Sequence, residues 1–190
     1  MAVEKYEPRL KVLYGQEIAE ALKKELKLGN INQVPRLEKV IVASGVGKKR
    51  EDKKYTETVD LTLNKITGQA TTSRLAKKSI AQFKIRKGLG APVGYLVTLR
   101  NDKMYEFVDR LISVALPHVR DFHGVSRKSF DAQGNYNLGI QEQTVFPEIS
   151  FEDAQVLHGV EITFVIKNGS KEGSLKLLEK FGMPFEREVK

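Results

Sequence analysis

The chain has 190 residues and a formal net charge of +8, from 32 Lys and Arg against 24 Asp and Glu, with a sequence pI of about 9.5. Apolar residues and glycine together make up about half of it, as in soluble globular chains, which excludes wholesale disorder; the length suits one domain or at most two closely packed lobes. It has no cysteine, which excludes disulfides, thiolate metal sites and cysteine nucleophiles and makes a reducing, intracellular home the simplest expectation. The charged N-terminus has no apolar core of a signal peptide and no window approaches about 18 uninterrupted apolar residues, so neither export nor a membrane partner is expected.

Leu10, Leu13, Ile18, Leu22 and Leu26 recur at helical steps between Pro8 and Leu28, ahead of the stop signal Gly29-Asn30, and predict an amphipathic helix. Leu37 to Ser44, β-branched and entered from Pro35, predicts a strand ending at Gly45-Val46-Gly47. Tyr55, Val59, Leu63 and Ile66 predict a second helix over about 52–67, closed by Gly68, with a short strand over 69–73 after it. Val93 to Arg100 alternates as a strand and runs into Asn101-Asp102, read as an N-cap pair.

The stripe Met104, Phe107, Val108, Leu111, Ile112 and Ala115 predicts a third helix stopped by Pro117. Short strands and long loops are expected over 130–151, a half-buried strand over Val160 to Lys167, and a closing helix over 174–181 ended by Gly182. The predicted class is α+β: a mixed or antiparallel sheet with helices packed on one face and a long protruding basic loop, in one domain spanning 1–190. The loop is placed at about 71–92 and the N-terminal helix at about 8–28.

The charge is concentrated. Residues 71–90 carry Arg74, Lys77, Lys78, Lys84, Arg86 and Lys87 and no acid, and residues 34–54 carry seven bases against three acids. From Phe146 to the end, eight acids outnumber six bases. Such local excess is the footprint of a polyanion partner, since each neutralised phosphate releases condensed counterions; a solvated cationic face is the alternative. Ser73, Ser79, Gln82 and Phe83 lie among these bases, and hydroxyls, amides and an aromatic suit RNA. Phe83 has two readings, a ring stacked on a base or ribose and a ring anchoring the loop on the core.

No catalytic chemistry is legible. Gly45-Val46-Gly47-Lys48-Lys49 lacks the glycine spacing and hydroxyl of a phosphate-binding loop. Asp121-Phe122-His123-Gly124 stands without any other kinase signature. His118, His123 and His158 have neither metal-ligand spacing nor a nucleophile beside them, so they are expected to be structural or to contact phosphate. No carboxylate pair sits in a catalytic signature. The expectation is a non-enzyme with no metal and no cofactor.

Several motifs together carry a resemblance: VPRLEKVIVASGVG at 34–47, ITGQ at 66–69, AKKSIAQFKIRKG at 76–88, VTLR with MYEFVDRLISVALP, VRDFHG, GNYNLGIQEQTVFPEI and GMPF. In this order, from about residue 30 to 185, the chain resembles the bacterial form of the fifth-protein family of the large ribosomal subunit, a universal L-five protein. The resemblance implies a cytoplasmic, RNA-binding structural constituent of the large subunit. Its implied partners are 5S rRNA in the central protuberance, P-site tRNA, neighbouring large-subunit proteins and rRNA, and a small-subunit head protein.

Carried over by motif, rRNA contacts fall on Arg36, Lys39, Ser44, Gln69, Thr98 and Arg100. Contacts with tRNA fall on Arg74, Lys77, Lys78, Ser79, Lys84, Arg86 and Lys87. An intersubunit bridge falls on Arg120, Asp121, His123, Asn135, Tyr136 and Asn137. Three departures stand out: Ala43 where the family commonly has a polar residue, often Asn, with Ser44 as its expected substitute; a longer Gly88 to Gly94 turn; and His123 where Arg is usual. The alternative reading is a non-ribosomal RNA-binding module, or an interaction module whose basic loop docks an acidic partner.

Overall fold

A computed structural model describes residues 6–83, 85–88, 90 and 92–186, without the side chain of Lys48. It is an α+β fold built on a five-stranded antiparallel sheet in the order β2-β3-β1-β5-β4. The strands are β1 (Arg36–Gly45), β2 (Thr72–Arg74), β3 (Gly94–Leu99), β4 (Tyr136–Ile140) and β5 (Val160–Lys167). Four helices accompany them. Helix α1, over 9–25, joins Arg9–Leu13 to Ala19–Glu25 through a π-turn at Tyr14–Ile18. Helix α2 is Lys53–Thr67 and α4 is Lys171–Lys180. Helix α3, over 101–118, runs from Asn101–Arg110 through a π-turn at Leu111–Ala115 into a 3-10 turn at Leu116–His118.

Local chemistry sets the boundaries. The Asp52 carboxylate accepts the Tyr55 N–H and starts α2, and Gly68, at φ 61°, ends it in the left-handed conformation that costs glycine least. β2 begins later than the predicted 69–73, because Thr71 is tied back to α2. Its N–H donates to Asn64 Oδ1 at 2.9 Å and its hydroxyl to the Asp60 carboxylate. At the start of α3, Arg100 and not Asn101 takes the extended cap position, without a side-chain cap bond, while Asn101 adopts φ 52°. Pro117 does not stop this helix before its own position; it is the second residue of the final 3-10 turn, which ends one residue later. Helix α4 starts earlier than expected because the Ser170 hydroxyl accepts the Gly173 N–H at 3.0 Å.

Period-two burial marks the strands: in β5, Val160, Ile162, Phe164 and Ile166 are buried while the residues between them are half-buried or exposed. The chain forms two compact units, the first from Met1–Val40, Leu99–Leu138 and Thr163–Lys190 as far as these are described, the second from Ile41–Thr98 and Gly139–Ile162. The first has a core that includes Leu10, Leu22, Phe107, Leu111, Tyr136, Phe164 and Leu177. The second is built on Val42, Val59, Leu63, Ile66, Val97 and Ile162. No helix among the described residues is long and apolar enough to cross a membrane.

Candidate nucleic-acid interface

In the second unit, β2 pairs with β3 in the register Thr72 to Leu96, Ser73 to Tyr95 and Arg74 to Gly94. The basic segment leaves from this short strand and folds back on itself through few bonds. Ile80 and Ile85 exchange both backbone hydrogen bonds, at 2.9 and 3.1 Å, the Gly88 N–H reaches the Ala76 carbonyl at 3.1 Å, and Ala81–Phe83 forms a 3-10 turn at the tip. The body of the unit also holds it: the Arg50 guanidinium donates to the Phe83 carbonyl at 2.5 Å.

Arg74, Lys77, Lys78, Arg86 and Lys87 are all exposed, and none forms an ion pair with a described residue. Ser79 is exposed, its hydroxyl oxygen accepting the Lys87 N–H at 2.9 Å. Lys84 lies outside the described residues. Two bases of helix α1 are placed differently. Arg9 is paired to Asp109 at 2.5 Å and Lys11 to Asp102 at 2.8 Å, which ties α1 to α3. Phe83 and Ile80 are 59% and 42% exposed, so neither anchors the segment on the core.

Of the residues expected to contact rRNA, Gln69 and Thr98 are half-buried and joined, the Gln69 amide donating to the Thr98 carbonyl at 3.1 Å. This bond braces the turn after α2 and leaves the Gln69 side-chain oxygen as an acceptor. Ser44 is a correction: it is 3% exposed and its hydroxyl donates to the Gly159 carbonyl at 2.7 Å. It therefore cannot stand in for the polar residue replaced by Ala43, which lies on the other side of β1, half-buried.

The partner of Ser44 was invisible in the sequence. His158 is buried, with Nδ1 3.1 Å from Ser44 Oγ and Nε2 2.7 Å from Thr62 Oγ1. Its backbone N–H donates to the Gln143 side-chain oxygen at 2.8 Å, and the Gln143 amide donates to the Val156 carbonyl at 2.8 Å. Desolvation holds the imidazole below the usual histidine range, partly offset by the Gly159 carbonyl. His158 is a structural histidine.

In the first unit, Arg36 and Arg100 are exposed and Lys39 is half-buried. Arg36 opens β1 within electrostatic reach of Tyr14 and Tyr105. Tyr14 donates to the Pro35 carbonyl at 3.1 Å, and burial pushes its hydroxyl up to about 12. The exposed Arg36 lowers both phenols, against the larger opposing effect of their burial.

The residues expected at a bridge divide into two groups. Arg120, Asp121 and His123 are exposed, and Asn137 is exposed with its side-chain oxygen accepting the Thr163 hydroxyl at 2.8 Å. Tyr136 is a correction, and Asn135 is half-buried. Asn135 donates its backbone and amide N–H groups to Asp131 and accepts the Ile166 N–H, which uses the side chain internally. That amide and the loop's backbone N–H groups hold the Asp131 carboxyl below the usual carboxylate range. Tyr136 is fully buried against Phe130, Phe164 and Phe185, and its hydroxyl donates to the Ser126 carbonyl at 2.9 Å.

Among the described residues no group of three His, Asp or Glu stands where it could hold a metal ion. What the second unit offers is a run of unpaired cations beside hydroxyls, and what the first offers is arginines at strand and helix ends. Both suit phosphate recognition, with hydroxyl and amide groups near at hand for the sugar.

Residues 30–86 match the family model described as Ribosomal protein L5, and residues 92–185 match the model for the C-terminus of the same ribosomal protein family. Similar curated proteins include the large ribosomal subunit protein uL5 of a Synechococcus species, 50% identical over 93% of this chain and 97% of its own length. The uL5 of Syntrophotalea carbinolica is 50% identical over 95% of this chain and 97% of its own, and that of Flavobacterium johnsoniae 46% over 96% and 98%.

Proposed function

Since the chain belongs to the ribosomal protein L5 family, and is therefore a structural, non-enzymatic constituent of the large ribosomal subunit in the cytoplasm, we propose that it binds two RNAs through separate parts of its surface. The first is 5S rRNA, held in the central protuberance by Arg36, Lys39 and Arg100 in one unit and by the Gln69–Thr98 turn in the other. The second is P-site tRNA, met by Arg74, Lys77, Lys78, Ser79, Lys84, Arg86 and Lys87. Neighbouring large-subunit proteins and rRNA complete its surroundings.

The observation that carries this reading is the way the cations are used. Arg9 and Lys11 are spent on ion pairs within the fold, whereas the described bases of 74–87 have none, in a stretch without an acid. Unpaired clustered cations are costly to the fold through mutual repulsion and are useful to a polyanion. We further assign the exposed Arg120, Asp121, His123 and Asn137 to the bridge with a small-subunit head protein, without Asn135 and Tyr136. The single RNA-binding domain read from the sequence stands as part of the same proposal.

Filter binding of 5S rRNA to the whole chain and to Arg36→Ala and Gln69→Ala tests the first assignment. Each substitution weakens binding several-fold, whereas affinities equal to the parent chain's would remove these residues from the interface.

A further inference from the structure

We propose that Phe83 is a stacking platform for an unpaired RNA base at the tip of the basic segment. The inference rests on the tRNA-binding reading of that segment and adds to it a contact that is not electrostatic. The residue is 59% exposed, although its backbone is held: Phe83 ends the 3-10 turn Ala81–Phe83 and its carbonyl takes the Arg50 guanidinium at 2.5 Å. Arg50 is itself mostly buried, its side chain 15% exposed, so the clamp comes from the body of the unit. The two bonds between Ile80 and Ile85 close the turn behind the ring. A large apolar ring presented on a pinned backbone has already lost part of the freedom that binding would otherwise remove.

The surroundings select the ligand. Lys77, Lys78, Arg86 and Lys87 lie on the two arms that lead to this turn, no acid occurs from 71 to 90, and Ser79 and Gln82 are exposed beside them. An aromatic face among unpaired cations matches a nucleotide, which brings a π-face and a phosphate together; an apolar protein surface would leave the cations uncompensated. Paired bases hide their faces within the helix stack, so the partner is an RNA that offers a splayed or loop base.

The chain contains no tryptophan, so Phe83→Trp supplies a lone indole reporter at this position. The probes are a tRNA transcript, with loop bases, and a blunt RNA duplex of about 20 base pairs, without them. We expect tRNA to quench the indole fluorescence at saturation and the bound duplex to leave it unchanged. Phe83→Leu should weaken tRNA binding about five- to a hundredfold with the salt slope unaltered, and Phe83→Tyr should restore it.

Binding of tRNA with no quenching, or Phe83→Leu with the affinity of the parent chain, would overturn the proposal. Lys77→Glu with Lys78→Glu reports separately on the underlying reading. If this pair leaves tRNA affinity unchanged, the cationic segment is not the tRNA site. If it weakens binding while Phe83→Leu does not, the segment binds through charge alone.

Discussion

Ser44 gives its hydroxyl hydrogen to the Gly159 carbonyl at 2.7 Å and stands 3.1 Å from Nδ1 of the buried His158. With Thr62 Oγ1 2.7 Å from Nε2, the imidazole is enclosed between a strand hydroxyl and a helix hydroxyl. Burial holds His158 below the usual histidine range. In the window between the folded and unfolded values the unfolded chain binds the extra proton, so stability rises with pH there. The contribution is complete above about pH 6.5, the unfolded value, and is lost as pH falls from there through the lower folded value. Urea unfolding at pH 8 and pH 5 should show a lower midpoint at pH 5, and His158→Gln should reduce that dependence. The same dependence in both chains would contradict the assignment.

Ala43 and Ser44 point to opposite sides of β1 and should respond oppositely. Ser44→Ala should cost about 1–3 kcal/mol of stability, since it leaves Nδ1 of the buried His158 without its Ser44 partner, while 5S affinity of the folded protein is unchanged. Ala43→Asn should raise 5S affinity without a comparable change in stability. Unfolding curves and filter binding on the two variants separate these effects; a Ser44→Ala chain that folds normally and loses 5S binding would return Ser44 to the interface.

Gly124 should tolerate no side chain. Its φ is 111°, and a Cβ there would lie 2.6 Å from the Glu186 backbone N, where Val125 and Phe185 bridge. Gly124→Ala should cost about 2–4 kcal/mol. Thermal unfolding checks this, and an unchanged midpoint would mean that the Val125–Phe185 clamp yields easily.

Charge reversal at Lys77 and Lys78 should spare 5S binding and weaken tRNA binding, because neither lysine is paired and both lie in the segment assigned to the second RNA. Loss of 5S affinity comparable to that caused by Arg36→Ala would contradict the division of the two RNAs.

Much of this was legible in the sequence, for reasons visible in particular residues. Helix α2 was readable because Tyr55, Val59, Leu63 and Ile66 keep one face and Asp52 and Gly68 carry the end signals. The π-turn in α3 was not, since Val108, Leu111, Ile112 and Ala115 keep ordinary helical steps, whereas the one in α1 coincides with the five-residue step from Leu13 to Ile18. Ser44 carried a signal that the motif match overrode: it falls two and four residues after Val42 and Val40, on the buried side of β1. Tyr136 and Asn135 had no such signal. Their partners Phe130, Phe164, Phe185, Asp131 and Ile166 come from separate segments and meet only in the fold. The exposure of Phe83 was likewise beyond local pattern, since the same apolar residue suits a core anchor and a presented ring.

Binding to two RNAs through separate surfaces is tested most directly by titrating the whole chain against 5S rRNA, with excess tRNA as competitor, over a series of salt concentrations. The account predicts tight binding that survives the competitor. The logarithm of the affinity should fall against that of salt with a slope of magnitude about 4–7, as six to eight phosphate contacts require. Binding that tRNA displaces, or a slope near zero, would contradict it.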